Sequence, residues 1–379
     1  MPDSELLSSA AAARGPRTAA IRRTGGENAQ QQLTRLWRRG TDFLGTDLAI
    51  LGGAMTWLSE RRLVSAISNG GGFGVIASGA MSAAALDEEI EATRTLTSRP
   101  FGVNLITLHP QLLDLVDVCV SQNVGHVVLA GGLPTAAAIA RIKASPAKLL
   151  CFAPSLGVAK KLVRMGADAL IIEGMEAGGH IGPVSTSVLA QEILPALPEV
   201  PVFVAGGIGR GEAIALYLRL GASGAQLGTR FVCAHESTAH PRFKQAFIRA
   251  AARDAIQSVQ LDPRFPIIPV RAIANSGTES FIALQRQVIE RFDAGEISRK
   301  DAQFEIELYW TGALRRAIID GDVETGSLMA GQSVGMVTCE ESTKQILDTL
   351  VDQAFASLSR EMRRSEAAAA TVEQADALV

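Results

Sequence analysis

The chain has 379 residues, enough for one large domain plus an appendage, and 47% of them are apolar, so a sizeable core is available. Its 36 Lys and Arg against 39 Asp and Glu leave a net charge of −3, with the cations scattered, which excludes a footprint for nucleic acid or an anionic membrane. No apolar run is long enough for a membrane span or a secretory signal, and the four cysteines (Cys119, Cys151, Cys233, Cys339) form no CxxC pair, so reduced thiols and a cytoplasmic location are expected.

Residues 1–28, rich in Ala, Ser, Arg and Gly, are expected to be disordered. AQQQLTRLWRRGTDFLG (29–45) then spaces Leu33, Leu36, Trp37 and Phe43 as a docking helix would. From residue 47 a rhythm sets in: LAILGGA, FGVIA, FGVNL, HVVLA, LLCFA, ALIIE, VFVAG and GAQLG are eight short apolar runs. Their starts lie roughly 20–30 residues apart, the interval of one strand, loop and helix in a (β/α)8 TIM barrel. Helix-like stretches separate them, such as SERRLVSAISN, which Ser59 would cap, and GVAKKLVRMGAD. Continuous rather than alternating apolar runs suit parallel strands buried on both faces. Eight units without a reversal favour a closed barrel over a doubly wound open sheet.

The rhythm stops at residue 228. The domain expectation is a barrel with its N-terminal helix over 29–239 and a mainly helical cap over 240–325, built on SFIALQRQVIERFDAG and KDAQFEIELYWTGALRRAIIDG. A glycine-rich return loop, GSLMAGQSVGM, and a last helix follow over 326–364, and the Ala-rich tail, 365–379, is expected to be disordered.

Catalytic groups of such barrels sit on loops at the C-terminal strand ends. EGMEAGGHIG (173–182) follows the sixth run and crowds Gly178, Gly179 and Gly182 around His180. Small residues bring backbone close to a flat ligand, and an imidazole titrating near ~6.5 exchanges protons at neutral pH. Glu173, at the strand end, would orient His180 or bind a cofactor; Glu176 reads as solvated. After the seventh and eighth runs come AGGIGRG and LGTR. Backbone N–H groups of Gly206, Gly207, Gly228 and Thr229 could there converge on one phosphate. The spacing of Gly207, Gly209 and Gly211 is not that of a dinucleotide fold. Asn104 ends the third run, where its amide could meet a heterocycle. A ligand reaching from the phosphate loops to the first and third strands is long and flat, as a flavin mononucleotide is. Gln332 and Ser333 could reach it from the return loop. No metal site is read: His109 precedes a proline, His126 opens the fourth run at the wrong barrel end, and His235 and His240 are five apart.

Together EGMEAGGHIG, VAGGIGRGEAIALYLRLGASGAQLGTRFV, SNGGGFGVIASG, FGVN and GSLMAGQSVGM resemble the nitronate monooxygenase (2-nitropropane dioxygenase) family of FMN-dependent barrels over residues 47–350. The flavin-type enoyl-acyl-carrier-protein reductases form a nearby branch, which the stretches around His180 also resemble. The resemblance implies FMN held by its phosphate at Gly206, Gly207, Gly228 and Thr229. The isoalloxazine would lie against Ala54, Met55 and Asn104 with Gly178 and Gly179 beside it, and His180 would be the catalytic acid/base. GGAMTW departs from the reductase branch by an inserted alanine, and the N-terminal helix is foreign to it. Oxidation of an alkyl nitronate with O2 is therefore the favoured activity. Reduction of an enoyl thioester with NAD(P)H is the alternative, with Arg271 lining a basic entrance, and a flavin-free phosphate-binding barrel is a third reading. The oligomeric state, a homodimer included, is left open.

Overall fold

The computed structural model describes residues 25–376. Its first elements are helix α1 (Gly25–Leu44), strand β1 (Ile50–Gly52), α2 (Arg61–Asn69), β2 (Phe73–Ala77), α3 (Ala83–Leu96), β3 (Phe101–Ile106), α4 (Leu112–Ser121), β4 (His126–Ala130), α5 (Ala136–Lys143), β5 (Lys148–Phe152), α6 (Leu156–Met165) and β6 (Ala169–Glu173). The two-residue β7 (Gly179–His180), α7 (Thr186–Ile193), β8 (Val202–Ala205), α8 (Gly211–Arg219), β9 (Gly224–Leu227) and the single turn α9 (Thr229–Val232) follow. Strands β1–β6, β8 and β9 close into a parallel barrel, β9 returning to β1 through Ile50–Ala225 and Leu51–Gln226. Each of the eight apolar runs supplies one of these strands, so the fold is the (β/α)8 TIM barrel expected. Alternate strand residues face inward. Leu51, Phe73, Val75, Val128, Leu150, Ala169, Ile171, Phe203 and Ala205 fill the interior.

The N-terminal helix closes the floor of the barrel. Leu33 and Trp37 are buried against the outer helices, and Phe43 and Leu44 join the interior cluster. The Phe43 carbonyl accepts from Nε2 of His126 at 3.0 Å and from the Lys148 ammonium. His126 packs edge-on against Phe43 and Phe73, and burial pushes its imidazole down to about 4, so it stands neutral as part of the floor. Gly40 is required here, since a Cβ would meet the Ser223 carbonyl oxygen at 2.0 Å. The helix thus lies at the opposite end of the barrel from the loops that follow the C-terminal strand ends.

Beyond the barrel run α10 (Pro241–Arg249), β10 (Ala255–Gln257), β11 (Val270–Ile273), α11 (Ser276–Asp293), α12 (Arg299–Arg315) and α13 (Thr343–Asp376). The cap is helical as expected except for β10 and β11. With β7 these form an antiparallel sheet in the order β10-β11-β7. Three- and four-residue strands, one partnered by a strand from a barrel loop, carry too little periodicity to be read from sequence. Helix α13 packs on α8 and α1, its Ile346, Leu347, Leu350 and Leu358 sharing one core with Leu33, Trp37 and Leu218.

Three local expectations are corrected. Helix α1 already begins at Gly25 rather than after residue 28, while residues 1–24 lie outside the described residues. Helix α13 continues through Asp376, because alanine is the best helix former, so the tail expected to be disordered is helical to that point; residues 377–379 lie outside the described residues. Glu60, not Ser59, caps α2, accepting from the N–H groups of Arg62 and Leu63. Among the described residues no helix is long and apolar enough to cross a membrane.

Candidate active site

Three polar side chains share the inward parity at the C-terminal end of the barrel. Ala169 and Ile171 face inward on β6, which puts Glu173 there as well. A Cβ on Gly224 would meet the Phe203 ring at 2.9 Å, and one on Gly102 would meet the Phe73 ring at 2.9 Å, so Gln226 and Asn104, two residues further along their strands, also face inward. Asn104 donates one hydrogen bond, Nδ2 to the Val128 carbonyl at 3.2 Å. The side chains of Glu173 and Gln226 make no hydrogen bond or ion pair with any described residue. Burial pushes the Glu173 carboxyl up to about 8, so it is protonated at neutral pH and can donate. No hydrogen bond joins it to His180, so the expectation that Glu173 orients the imidazole fails. Gln226 escaped the sequence reading; the available signal was an amide interrupting the apolar run GAQLG.

His180 is carried by the small sheet, where it pairs with Val270 while Gly179 pairs with Arg271. Directly paired residues share a face, so His180 and Val270 lie on one side and Arg271 on the other. The imidazole is exposed, yet surrounding protein desolvates it and holds its pKa below the ordinary 6.5. An accessible but poorly solvated ring is what a concave recess produces. Arg271 is buried, Nε donating to the Met175 carbonyl at 2.8 Å and Nη1 to that of Ala255 at 2.6 Å. It fastens the His180 loop to the sheet and lines no entrance, contrary to the expectation.

The return loop crosses this loop. A Cβ on Gly178 would meet the Gly331 nitrogen at 2.5 Å and the Ala330 carbonyl carbon at 2.6 Å, so its bareness serves backbone crossing backbone. The Gly331 N–H donates to Oγ1 of Thr229 at 2.9 Å and the Gln332 N–H to the Glu176 carbonyl at 2.9 Å. The Glu176 carboxylate is not left to solvent: Oε2 accepts from N and Oγ1 of Thr186, both at 2.9 Å. That anion sits on the first turn of α7, where the helix dipole favours it. Ser333 is buried within the loop.

At the first strand end, Oγ of Ser59 accepts from the Met55 N–H at 2.9 Å and donates to the Gly53 carbonyl at 3.0 Å, fixing Ala54 and Met55 at the mouth. Trp57 follows at φ 70, a conformation rare for an aromatic residue, with Arg315 over its ring at 5.9 Å. At the seventh and eighth strand ends, Gly206 and Gly207 have φ of 95 and 71. The N–H groups of Gly206, Gly207, Gly228 and Thr229 donate to no described residue.

These features fit FMN. Neighbouring strand ends offer unspent N–H donors to a phosphate, and Asn104, Glu173 and Gln226 offer unspent donors and acceptors to the edge of a polar ring. Oγ1 of Thr107, just past β3, is likewise buried without a partner. Small residues wall the mouth at Gly53, Ala54 and Ala205.

Comparison with known proteins agrees with this architecture. A family model described as nitronate monooxygenase matches residues 38–123 and 113–353. The chain is 29% identical over 339 residues to (3aS,4S,5R,7aS)-5-hydroxy-7a-methyl-1-oxo-octahydro-1H-indene-4-carboxyl-CoA dehydrogenase of Rhodococcus jostii, covering 83% of this chain and 95% of that one. The structure of FabK from Thermotoga maritima superposes with a TM-score of 0.77 at 34% identity over 86% of this chain and 98% of that one. A nitroalkane oxidase from Streptomyces ansochromogenes gives a TM-score of 0.68 at 26% identity over 84% and 98%.

Proposed function

We propose that this chain, which belongs to the nitronate monooxygenase family and is an FMN-dependent oxidoreductase, acts on the carbons next to a thioester carbonyl with His180 as its acid/base. The observation that carries the reading is the exposure of His180 on β7, the edge strand of the cap sheet. A bulky substrate can reach it there, whereas a small nitronate needs only a closed pocket. The kinship with a carboxyl-CoA dehydrogenase over most of both chains supports the same substrate class. Of the two sequence departures from the reductase branch, the N-terminal helix lies at the floor of the barrel, away from the mouth, and only the inserted alanine of GGAMTW stands at the mouth.

In this reading the N–H groups of Gly206, Gly207, Gly228 and Thr229 hold the FMN phosphate. Asn104, Gln226 and the protonated Glu173 hold the polar edge of the ring, with Ala54 and Met55 walling the mouth and Gly178 and Gly179 shaping the loop that carries His180. FMN, when bound, supplies the two-electron chemistry. His180 is neutral at pH 7 because desolvation lowers its pKa, so it is ready to take a proton from the carbon next to the carbonyl in the oxidative direction. In the reductive direction the same atom returns the proton. Arg271 and the Gly178–Ala330 crossing keep the loop in place during the transfer.

Nitronate oxidation with O2 is the second reading, favoured by the family match and the nitroalkane oxidase structure. Anaerobic mixing of the purified yellow protein with NADH, NADPH, butyryl-CoA or propyl-2-nitronate separates the two. Bleaching by a nicotinamide or by butyryl-CoA, with colour restored by crotonyl-CoA, is expected. Bleaching by the nitronate alone would overturn the thioester reading, and a colourless protein that takes up no FMN would overturn the cofactor assignment.

A further inference from the structure

The cap holds a cavity of about 490 Å³ between the small sheet and helices α11 and α12, lined by Ile256, Val270, Ala272, Phe281, Ile282 and Trp310. That volume lies within the range of small-molecule sites. Its placement follows from strand register. Ile256 pairs with Ala272 on one row of the sheet and Val270 pairs with His180 on the next alternate row. All four side chains therefore share one face, the face opposite Arg271. The cavity wall and the imidazole are parts of one surface, with Val270 the shared neighbour. The charged groups in the lining are two carboxylates, Glu279 and Glu324, and no Lys or Arg among the described residues lines the cavity. An anionic occupant such as a nucleotide phosphate or a free carboxylate is thereby disfavoured. An uncharged apolar group that displaces water from Phe281, Ile282 and Trp310 is favoured.

We infer that this cavity receives the uncharged apolar tail of the substrate whose reacting carbon stands at His180. The inference rests on the reading of His180 as the reacting centre, and it makes the cap the part of the chain that selects substrates by tail length. It holds for a long-chain thioester or a long-chain nitronate alike.

Calorimetric titration of the FMN-loaded protein with 1-decanol and with decanoate tests the cavity without any turnover. Decanol should bind at least about tenfold more tightly than decanoate, and Glu279→Gln/Glu324→Gln should bring decanoate to within about threefold of decanol. Ala272→Phe fills the cavity and should weaken decanol at least tenfold. Because Ala272 is buried and that variant can fail to fold, Ile256→Asp serves beside it: Ile256 is 42% exposed, so folding is not at stake, and the new charge at the rim should have the same effect. Unchanged decanol binding in Ile256→Asp, or equal binding of decanol and decanoate to the wild type, overturns the inference. The link to His180 is read separately. In Ile256→Asp the ratio of kcat/KM for a ten-carbon over a four-carbon enoyl thioester should fall about tenfold. If neither thioester is turned over while decanol behaves as stated, the thioester reading fails and the cavity stands. If both are turned over at an unchanged ratio, the cavity does not serve that site.

Discussion

The N–H of Gly331 donates to Oγ1 of Thr229 across 2.9 Å, so a loop arriving from beyond the cap is bonded to the residue that follows the last barrel strand. The bond is buried, and Thr229 is the acceptor. Thr229→Val keeps the shape and removes that acceptor, leaving a buried N–H unpaired at a cost of about 1–3 kcal/mol. Urea unfolding should show this as a lower midpoint at unchanged slope. A midpoint equal to wild type would mean that water takes the place of the hydroxyl.

His180→Ala should keep FMN bound, since no phosphate donor is touched, and should reduce turnover by roughly 10²–10⁴. In the wild type, the acid limb of kcat/KM against pH should fall below 6.5, because desolvation disfavours the imidazolium. Near wild-type turnover in the variant would remove His180 from the mechanism.

Glu173 gives a pH-dependent stability. Its folded pKa of about 8 lies above the ordinary 4.5, so the folded protein holds the proton more tightly than the unfolded chain. The wild type therefore loses stability as pH rises from about 4.5 to about 8. Glu173→Gln removes the titration. Flavin-free Glu173→Gln should melt about 6 °C above wild type at pH 9, the two curves converging below pH 5. Parallel melting curves at all pH values would show that the carboxyl is already ionised in the fold.

Gly178→Ala tests the loop crossing. The added methyl meets backbone atoms, which cannot rotate away, so the return loop must shift, at about 1–3 kcal/mol. Limited proteolysis should then cut within 326–336 faster than in wild type. An unchanged cleavage rate would show that the crossing is looser than the contact distances imply.

The barrel was legible because each strand is a continuous apolar run set off by turns, and FGVIA, HVVLA and ALIIE match their strands residue for residue. The glycine motifs were legible as features of backbone, but their reasons were only partly so. Gly207 has φ 71, and a Cβ there would meet that of Glu176 at 2.9 Å, so the position demands glycine with or without a phosphate. Gly178 answers to Ala330, more than a hundred residues away in the chain, and local sequence carries no trace of such a contact. The fate of Arg271 was hidden for the same reason: its acceptors are carbonyls, which every residue has.

The way α13 lies across α8 and α1 bears on how the chain is made. The last barrel strand ends at Leu227, but the helix that covers the flank of the barrel begins only at Thr343. At ribosomal speed that interval lasts on the order of ten seconds. Throughout it Leu33, Trp37 and Leu218 lack the apolar partners they have in the finished core. A nascent chain in this state is sticky on one side, and a premature stop anywhere after the barrel leaves it so permanently. Truncated products should accordingly collect in inclusion bodies or on chaperones, and an expression strategy that removes the C-terminal helix will lose the barrel along with it.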